Sequence, residues 1–288
     1  MIIEIMKRFC YWIICLLCCF STLQAEEWYE KRQYLTYSPR YFGANAFPFP
    51  ELMGGKLPAH WEVEVRGEYH TMPGDQTKDL FARIYIPIAG GKAGVTVSGV
   101  IQEWYKTSEA VRDERHAVDV KSPIPCFGDV IVNCYYQVLR NAKWADILVS
   151  ANIKTASGGR LCDARYTDAA SYWFDANFGR NLWQSGDQKA SIRLDALLGF
   201  YCWMTNQEDN RQNDAFCYGV GISGTWRSFF LKCDWSGFRG YQKNGDRPML
   251  FRAKLEYEIK KNIISFRYRH GLQDFQYDTY SLAYIRCF

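Results

Sequence analysis

The ionisable side chains best placed for chemistry alternate with apolar residues near the end of the chain. Between positions 250 and 259, charged residues occupy one parity, and aromatic or aliphatic residues occupy the other. The same alternation restarts at 264–269, after a polar link at Lys261 and Asn262. A period of two predicts strands, and two such runs joined by a short polar link predict an antiparallel hairpin. A strand face that carries both signs of charge can form ion pairs or line a polar passage.

Charged residues also cluster in a predicted loop, Lys154–Asp175. Asp163, Arg165 and Asp168 could bind a ligand or a cation at the mouth of a polar passage. The alternative is purely architectural, with Arg165 paired to one of the two aspartates. A second loop, Thr107–Phe127, carries many charges of both signs. We expect it to form a solvated surface, and a lid over the mouth is the more specific hypothesis.

The residue types that hold metals and cofactors are not spaced for that purpose. The chain has 11 cysteines, and those beyond position 25 are widely and irregularly spaced, with no CxxC pair and no His/Cys cluster. Such spacing argues against a zinc site, so the sequence predicts no metal and no cofactor. The net charge is only +4 and there is no long basic run, which argues against a nucleic-acid partner.

Runs with strand periodicity recur from Trp61 to the end of the chain. There are twelve of them, and an even number is usual in bacterial single-chain barrels. No apolar run after Ala25 is long enough for a membrane-spanning helix. The predicted strands are Trp61–Tyr69, Asp79–Pro87, Gly94–Trp104, Asp129–Leu139, Ala145–Lys154, Ser171–Gly179, Ala190–Trp203, Ala215–Trp226, Phe229–Phe238, the two runs of the hairpin at 249–269, and Tyr277–Phe288.

The connections between these runs alternate in length. Odd-numbered links, such as 70–78 and 105–128, are mostly longer than even-numbered links such as 88–93, although the sixth link, 180–189, is long. Long outer loops and short periplasmic turns are typical of an up-and-down barrel, and 17% aromatic residues fit its interfacial girdles. The sequence therefore predicts an all-β fold: a twelve-stranded antiparallel up-and-down transmembrane β-barrel over residues 61–288, in the outer membrane of a Gram-negative bacterium.

The polar parity of the predicted strands identifies the side chains expected inside the barrel. Twelve strands enclose more space than eight, which favours a narrow channel with charges of both signs. The alternative is that the ion pairs merely fill the lumen, and both interpretations remain open. The expected lumen-lining residues are Glu62, Glu64, Arg66, Glu68, Arg83, Lys154, Arg193, Asp195, Lys232, Asp234, Arg252, Lys254, Glu256, Glu258, Arg267 and Arg269.

The first 60 residues do not have strand periodicity. Lys7 and Arg8 precede an apolar run, Cys10–Phe20, and polar residues then lead to Ala25. This order of basic, apolar and small residues predicts a signal peptide at 1–25. Residues 26–60 are rich in both proline and aromatic residues. We expect them to pack against the periplasmic mouth or to enter the lumen as a plug, because so many aromatic side chains need burial.

Several short motifs resemble an uncharacterised family of Gram-negative outer-membrane proteins, and more distantly the outer-membrane barrels associated with phenol-degradation pathways. The motifs are Tyr37–Ala46 followed by Phe47–Pro50, then Phe127–Asp129, Lys154–Gly158, Arg165–Asp168 and Tyr172–Asp175. The barrels of the phenol pathways are thought to admit small, often apolar, molecules. The resemblance implies a barrel in the outer membrane, without naming a solute.

These expectations lead to a passive channel for a small solute, without enzymatic activity. The alternatives are a closed structural or surface-binding barrel and an outer-membrane lipid-modifying enzyme. The enzyme would resemble the outer-membrane phospholipase and use His270 with Ser281 on the following strand. A nucleophile needs its base within hydrogen-bond reach, and Ser281 is expected to lie deeper than His270, so no catalytic residue is assigned. The expected partners are the lipid bilayer, the solute, and the barrel-insertion machinery through Phe288.

Overall fold

The computed structural model describes residues 34–117 and 123–288. The signal peptide expected at 1–25 therefore lies outside the described residues, as does the start of the Pro-rich segment. The strands are β1 (Glu62–Met72), β2 (Asp75–Ile88), β3 (Ala93–Thr107), β4 (Ile124–Cys126), β5 (Val130–Leu139), β6 (Asp146–Lys154), β7 (Ser171–Gln184), β8 (Ala190–Met204), β9 (Gln212–Trp226), β10 (Phe229–Gly240), β11 (Met249–Ile259), β12 (Asn262–Gln273) and β13 (Asp278–Cys287).

The twelve long strands close into one antiparallel barrel. Each long strand pairs with its neighbours in the chain, and β13 returns to β1, where Glu62 lies opposite Cys287 and Thr71 lies opposite Asp278. The short strand β4 is an addition, paired with the end of β3. Closure gives every long strand a partner on both sides, as a bilayer requires of backbone N–H and C=O groups. The predicted twelve-stranded up-and-down barrel is confirmed, with β4 as an extra strand.

The two parities of each strand face different surroundings. On β10, Leu231 and Trp235 are 54% and 47% exposed, whereas Lys232 and Asp234 are buried. The same contrast holds on the other long strands, where the exposed positions are mostly aromatic or aliphatic. An apolar exterior around a polar interior is the arrangement of a barrel that spans a bilayer. The chain is therefore an outer-membrane barrel.

One end of the barrel carries longer connections than the other. We call this end the loop mouth, and its connections include 108–129, 155–170, 205–211 and 241–248. The opposite end, the turn mouth, has the connections 89–92, 140–145, 185–189, 227–228 and 260–261.

The structure corrects two of the predicted connections. The link expected at 70–78 is mostly strand, because β1 and β2 extend to a tight turn at Pro73-Gly74. Its polar residues misled the prediction, since inward-facing polar side chains are normal in a barrel strand. The link expected at 180–189 shortens to 185–189, because β7 continues to Gln184.

One short α-helix, α1 (Glu109–Arg115), packs over the loop mouth. The Ser108 side chain caps its first turn by accepting a hydrogen bond from the backbone N–H of Val111. Val111 and Arg115 are buried against the barrel, whereas Glu109, Asp113 and Glu114 are exposed. One face of this part of the loop thus packs on the barrel, and the other is the solvated charged surface that the sequence predicts. Within 34–117 and 123–288, none of the helices has the length and apolar character needed to cross a membrane.

Candidate lumen and loop-mouth cluster

The N-terminal segment, residues 34–60, packs against the inner wall of the barrel along most of its length, and its ends, Tyr34 and Ala59 with His60, are exposed. At the loop mouth, the indole N–H of Trp203 donates to the carbonyl of Tyr37 at 3.0 Å. At the turn mouth, the hydroxyl of Tyr85 donates to the carbonyl of Pro58 at 3.1 Å. The segment therefore runs along the lumen from the loops to the turns before the chain enters β1.

Between its two ends, the N-terminal segment is held mainly through its backbone. Lys232 donates to the carbonyl of Leu52, and Arg252 donates to the carbonyl of Pro50 at 3.1 Å. Polar side chains on the wall thus satisfy backbone groups that would otherwise be buried without partners. The segment can adopt an irregular path because it lines a polar lumen and does not touch lipid.

Two glycines in the wall allow this close approach. A Cβ atom at Gly179 would collide with the carbonyl of Gly54, and one at Gly219 would press on the side chain of Leu52. Glycine in a strand interior often marks the place where another backbone comes near. The sequence contained this signal, but it could not show which segment approaches.

Five buried side chains form a network at the loop mouth, which we call the mouth cluster: Asp75, Glu103, Arg115, Arg165 and Tyr277. Arg165 donates to Asp75 at 2.8 Å and twice to Glu103, at 2.9 and 2.8 Å. Arg115 donates to Asp75 and to the Tyr277 hydroxyl, both at 2.9 Å. The Tyr277 hydroxyl in turn donates to Asp75 at 2.6 Å. Two guanidinium groups thus balance two carboxylates.

Neighbouring groups complete the cluster and connect it to the N-terminal segment. Asn45 of the segment and the hydroxyl of Tyr166 both donate to Glu103, at 2.9 Å. Burial lowers the pKa of Arg165, but the carboxylates of Glu103 and Asp75 outweigh this effect and raise that pKa well above its usual value. Burial and the charge of Glu103 raise the pKa of Tyr166. The cluster is therefore held by charged arginines and a neutral tyrosine.

The structure separates the residues expected in the mouth loop. Arg165 forms its ion pairs with Asp75 of β2 and Glu103 of β3. The predicted pairing of Arg165 within its own loop is therefore wrong. Asp163 accepts a hydrogen bond from Arg160 at 2.7 Å and another from Tyr105. Asp168 is exposed, at a positive φ of 46°.

Glutamates on β1 serve several arginines each. Glu64 pairs with Arg66 at 2.8 Å and with Arg83 at 2.7 Å. It also lies 3.3 Å from Arg267 on β12. Arg66 also donates a hydrogen bond to a second glutamate, Glu68, at 3.0 Å. This part of the wall is therefore an ion-pair network in which cations compete for carboxylates.

Five cations occupy neighbouring inward positions on β10, β11 and β12, and we call them the basic patch: Lys232, Arg252, Lys254, Arg267 and Arg269. Lys254 lies opposite Lys232 on one neighbouring strand and opposite Arg267 on the other. Arg252 lies opposite Arg269. Like charges directly opposite each other in a sheet are destabilising, so this arrangement requires anions nearby.

A cavity of about 490 Å³ remains between the N-terminal segment and the wall. Arginines and lysines line one side, whereas Asn133, Ser150 and Asn152 line another. Glu51 of the segment extends into the cavity, with a side chain that is 63% exposed and 3.8 Å from Arg267. The lumen is therefore polar and only partly filled.

Most residues expected to line the lumen border a cavity. Those on the larger cavity are Glu62, Arg66, Glu68, Arg83, Arg193, Asp195, Lys232, Lys254, Glu256, Arg267 and Arg269. Asp234 and Arg252 border a smaller one, of about 60 Å³. The other three differ: Glu64 is buried among arginines, Lys154 is buried against Asp129 at 2.7 Å, and Glu258 is exposed near the turn mouth.

Sequence reasoning missed Glu51 and the carboxylates of the mouth cluster. A bulge explains one omission, because the pairing skips Ile101 and moves the inward positions of β3 from even numbers to odd numbers. Glu103 consequently points inward although the earlier alternation places it outside. Asp75 was assigned to a loop. Glu51 lies in a stretch without strand periodicity, so no sequence pattern identified it as a lumen residue.

The pair considered for the enzyme alternative, His270 and Ser281, is not assembled. The side chain of Ser281 faces the lumen and donates to Glu68 at 2.7 Å. His270 lies on the outward parity, is 48% exposed, and contacts Asp278 at 2.7 Å. The two side chains thus point to opposite faces of the wall, and a nucleophile needs its base within hydrogen-bond reach.

One buried group of potential metal ligands lies beside the mouth cluster. The ligand atoms of Glu68, His70 and Asp79 all lie within 4.8 Å of one another. His70 contacts Asp79 at 2.7 Å. Glu68 is already paired with Arg66 and Arg269, and these positive charges oppose a metal cation. The group is better explained as part of the ion-pair network.

Comparisons with known proteins support the fold. No family model and no curated protein matches the sequence. An outer-membrane channel from Pseudomonas putida F1 aligns over 84% of this chain and 100% of its own, with 10% identity and a TM-score of 0.57. The transport unit of the autotransporter AIDA-I from Escherichia coli aligns over 88% and 100%, with 11% identity and a TM-score of 0.52. The KdgM porin aligns over 78% and 99%, with 10% identity and a TM-score of 0.48.

Proposed function

We propose that this barrel is a passive outer-membrane channel for a small solute, closed in the present conformation by the N-terminal segment acting as a plug. The observation that carries the proposal is the cavity of about 490 Å³ beside the segment. A lumen filled only by ion pairs would have supported a closed structural barrel. One of the similar solved structures, from Pseudomonas putida F1, is itself an outer-membrane channel.

Planar-bilayer conductance tests the proposal. The refolded protein is expected to conduct rarely, and a variant that lacks residues 26–60 is expected to conduct continuously, because the obstruction is removed. Both proteins should show the heat-dependent gel shift of a folded barrel. Absence of conductance from both folded proteins would remove the channel and favour the closed structural or surface-binding barrel.

We also propose that the loop mouth faces outward, since long loops are extracellular in barrels of this kind. Tyr34 is 61% exposed, and its neighbour Leu35 accepts a hydrogen bond from Gln207 in a loop of that mouth. Trp144 is 76% exposed on a connection of the turn mouth. A membrane-impermeant maleimide should label Tyr34→Cys on intact cells but should label Trp144→Cys only after permeabilisation. The reverse labelling pattern would show that the turn mouth faces outward.

Phe288 is proposed as the contact for the barrel-insertion machinery. It follows β13, and its side chain is 63% exposed at the turn mouth. Phe288→Ala should reduce the amount of folded barrel in the outer membrane of growing cells, while refolding in detergent stays normal. Unchanged assembly in cells would remove this role.

A further inference from the structure

Two cations of the basic patch have carboxylates of their own, Arg252 with Asp234 at 2.7 Å and Lys254 with Glu256 at 3.0 Å. Arg267 and Arg269 instead share theirs with other arginines. Glu64 is shared by Arg66, Arg83 and Arg267. Glu68 is shared in the same way by Arg66 and Arg269. A carboxylate that already accepts from one arginine neutralises a second one less completely. The patch is therefore an electropositive surface inside a partly enclosed lumen, where charges are screened less than on an open surface.

Arg267 of the patch also keeps unused hydrogen-bonding capacity. The Nε of Arg267 has no hydrogen-bond partner in the described part of the chain. The terminal nitrogens of Arg267 lie 3.3 Å from a carboxylate oxygen of Glu64 and 3.8 Å from one of Glu51. Arg165 in the mouth cluster, by contrast, donates at 2.8–2.9 Å to every partner. A loosely paired guanidinium next to a cavity is available to a ligand.

Glu51 is the only carboxylate that the described N-terminal segment brings to this surface. Its side chain extends into the cavity, and the charges that act on it come from Arg267, Arg252, Arg66 and Lys254. The nearest of them is 3.8 Å away, and the carboxylate remains 63% exposed. Glu51 thus stands where a mobile anion would stand, and no rigid ion pair fixes it there.

We propose that the basic patch is a binding site for the carboxylate of a small anionic solute, and that Glu51 occupies this site as an internal substitute until the N-terminal segment moves. The inference names the solute class of the proposed channel, and only the claim that the bound solute crosses the membrane rests on that proposal. Guanidinium groups suit a carboxylate because their planar donors match its two oxygens. The neutral amides and hydroxyl of Asn133, Asn152 and Ser150 would contact the remainder of the solute.

The cavity has the size for such a ligand. Small-molecule sites usually measure about 300–1,000 Å³, and this cavity measures about 490 Å³. Its lining combines charged and amide side chains with aromatic ones such as Phe81, Trp173 and Phe230, so it can accept a solute that has both an apolar part and polar groups. The site is thus suited to a small organic acid that also carries hydrogen-bonding groups.

Succinate binding to the full-length refolded protein tests the inference, with isothermal titration in detergent at low ionic strength. Glu51→Gln should bind succinate about tenfold more tightly than the wild type, because the internal competitor is neutralised. Adding Lys254→Gln to that variant should reverse most of the gain. Glu258→Gln is the matched control, because it also removes one negative charge, but at a position on β11 that borders neither cavity. This variant should bind succinate with the affinity of the wild type. Succinamide, which is neutral, should not bind to any of them.

Equal succinate affinity in the wild type and Glu51→Gln would overturn the inference, as would equal binding of succinamide. The gel shift between heated and unheated samples shows that each variant is folded. The binding measurement does not depend on conductance. A protein that binds succinate as expected but never conducts would retain the site and lose the channel, whereas a protein that conducts but does not discriminate between succinate and succinamide would retain the channel and lose the site.

Discussion

The mouth cluster and the basic patch use the same residue types for opposite purposes. In the mouth cluster, Arg165 and Arg115 are buried, and Asp75 and Glu103 match them in number and geometry. In the basic patch, cations lie opposite cations. Arg252 and Lys254 are paired with Asp234 and Glu256, but Arg267 and Arg269 depend on glutamates that other arginines share. A saturated network fixes one conformation, whereas an unsaturated one next to a cavity can exchange partners. Saturation therefore distinguishes a structural charge from a binding charge in this barrel.

The energetic basis of this contrast is desolvation. A charge taken out of water loses several kcal/mol of hydration, which only well-placed partners recover. The arginines of the mouth cluster have such partners on every side. The patch residues keep part of their hydration, because they face a cavity. Removing Arg165 should therefore be costly, whereas removing Arg267, whose glutamate keeps two other arginines, should be almost neutral.

The largest effect is expected from Arg165→Met, which leaves Asp75 and Glu103 buried with incomplete compensation. Loss of one partner from a buried ion pair costs about 3–5 kcal/mol. Urea unfolding of the refolded protein, followed by tryptophan fluorescence, measures this loss. Arg267→Met is the matched change in the basic patch and should cost less than about 1 kcal/mol, since Glu64 keeps Arg66 and Arg83. Equal losses of unfolding free energy in the two variants would show that the mouth cluster and the basic patch do not differ in this way.

A smaller effect is expected from Tyr277→Phe. This change removes one hydroxyl that bonds to Asp75 and Arg115 in the mouth cluster. A buried polar group that loses its partner costs about 1–3 kcal/mol. Tyr268→Phe removes a hydroxyl that donates to Asp278 on the outer face and should change the free energy of unfolding by less than about 0.5 kcal/mol. If both variants lose the same stability, burial does not explain the contribution of the Tyr277 hydroxyl to the mouth cluster.

The barrel was predictable because its determinants are local. The alternation on β6, with Ile147, Val149 and Ile153 outward, needs only the sequence, since a strand places successive side chains on opposite faces. The parity of β10, β11 and β12 likewise identified the cations of the basic patch. Because the long strands have the same two-residue period, one rule was sufficient for most of the wall.

The partners of these charges were not predictable, because they depend on contacts between distant parts of the chain. Arg165 reaches Asp75 across ninety residues of sequence separation, and no local pattern links the two. Glu103 was hidden by the bulge at Ile101, which reverses the parity of β3. The position of Glu51 depends on the path of a segment whose only described regular structure is one 3-10 turn, Pro39–Tyr41. Sequence could therefore identify the charges on the wall, but not which of them are saturated.

The smallest change in stability is expected from Lys254→Gln, and it sharpens the comparison most. Lys254 lies opposite both Lys232 and Arg267, so removing its charge relieves repulsion while it gives up one ion pair with Glu256 at 3.0 Å. The two effects oppose each other, and the free energy of unfolding should change by less than about 0.5 kcal/mol. In a plug-free background, the reversal potential in a KCl gradient should nevertheless move toward cation preference, because the electropositive wall has lost a charge. A large loss of stability with an unchanged reversal potential would make Lys254 a structural residue like those of the mouth cluster.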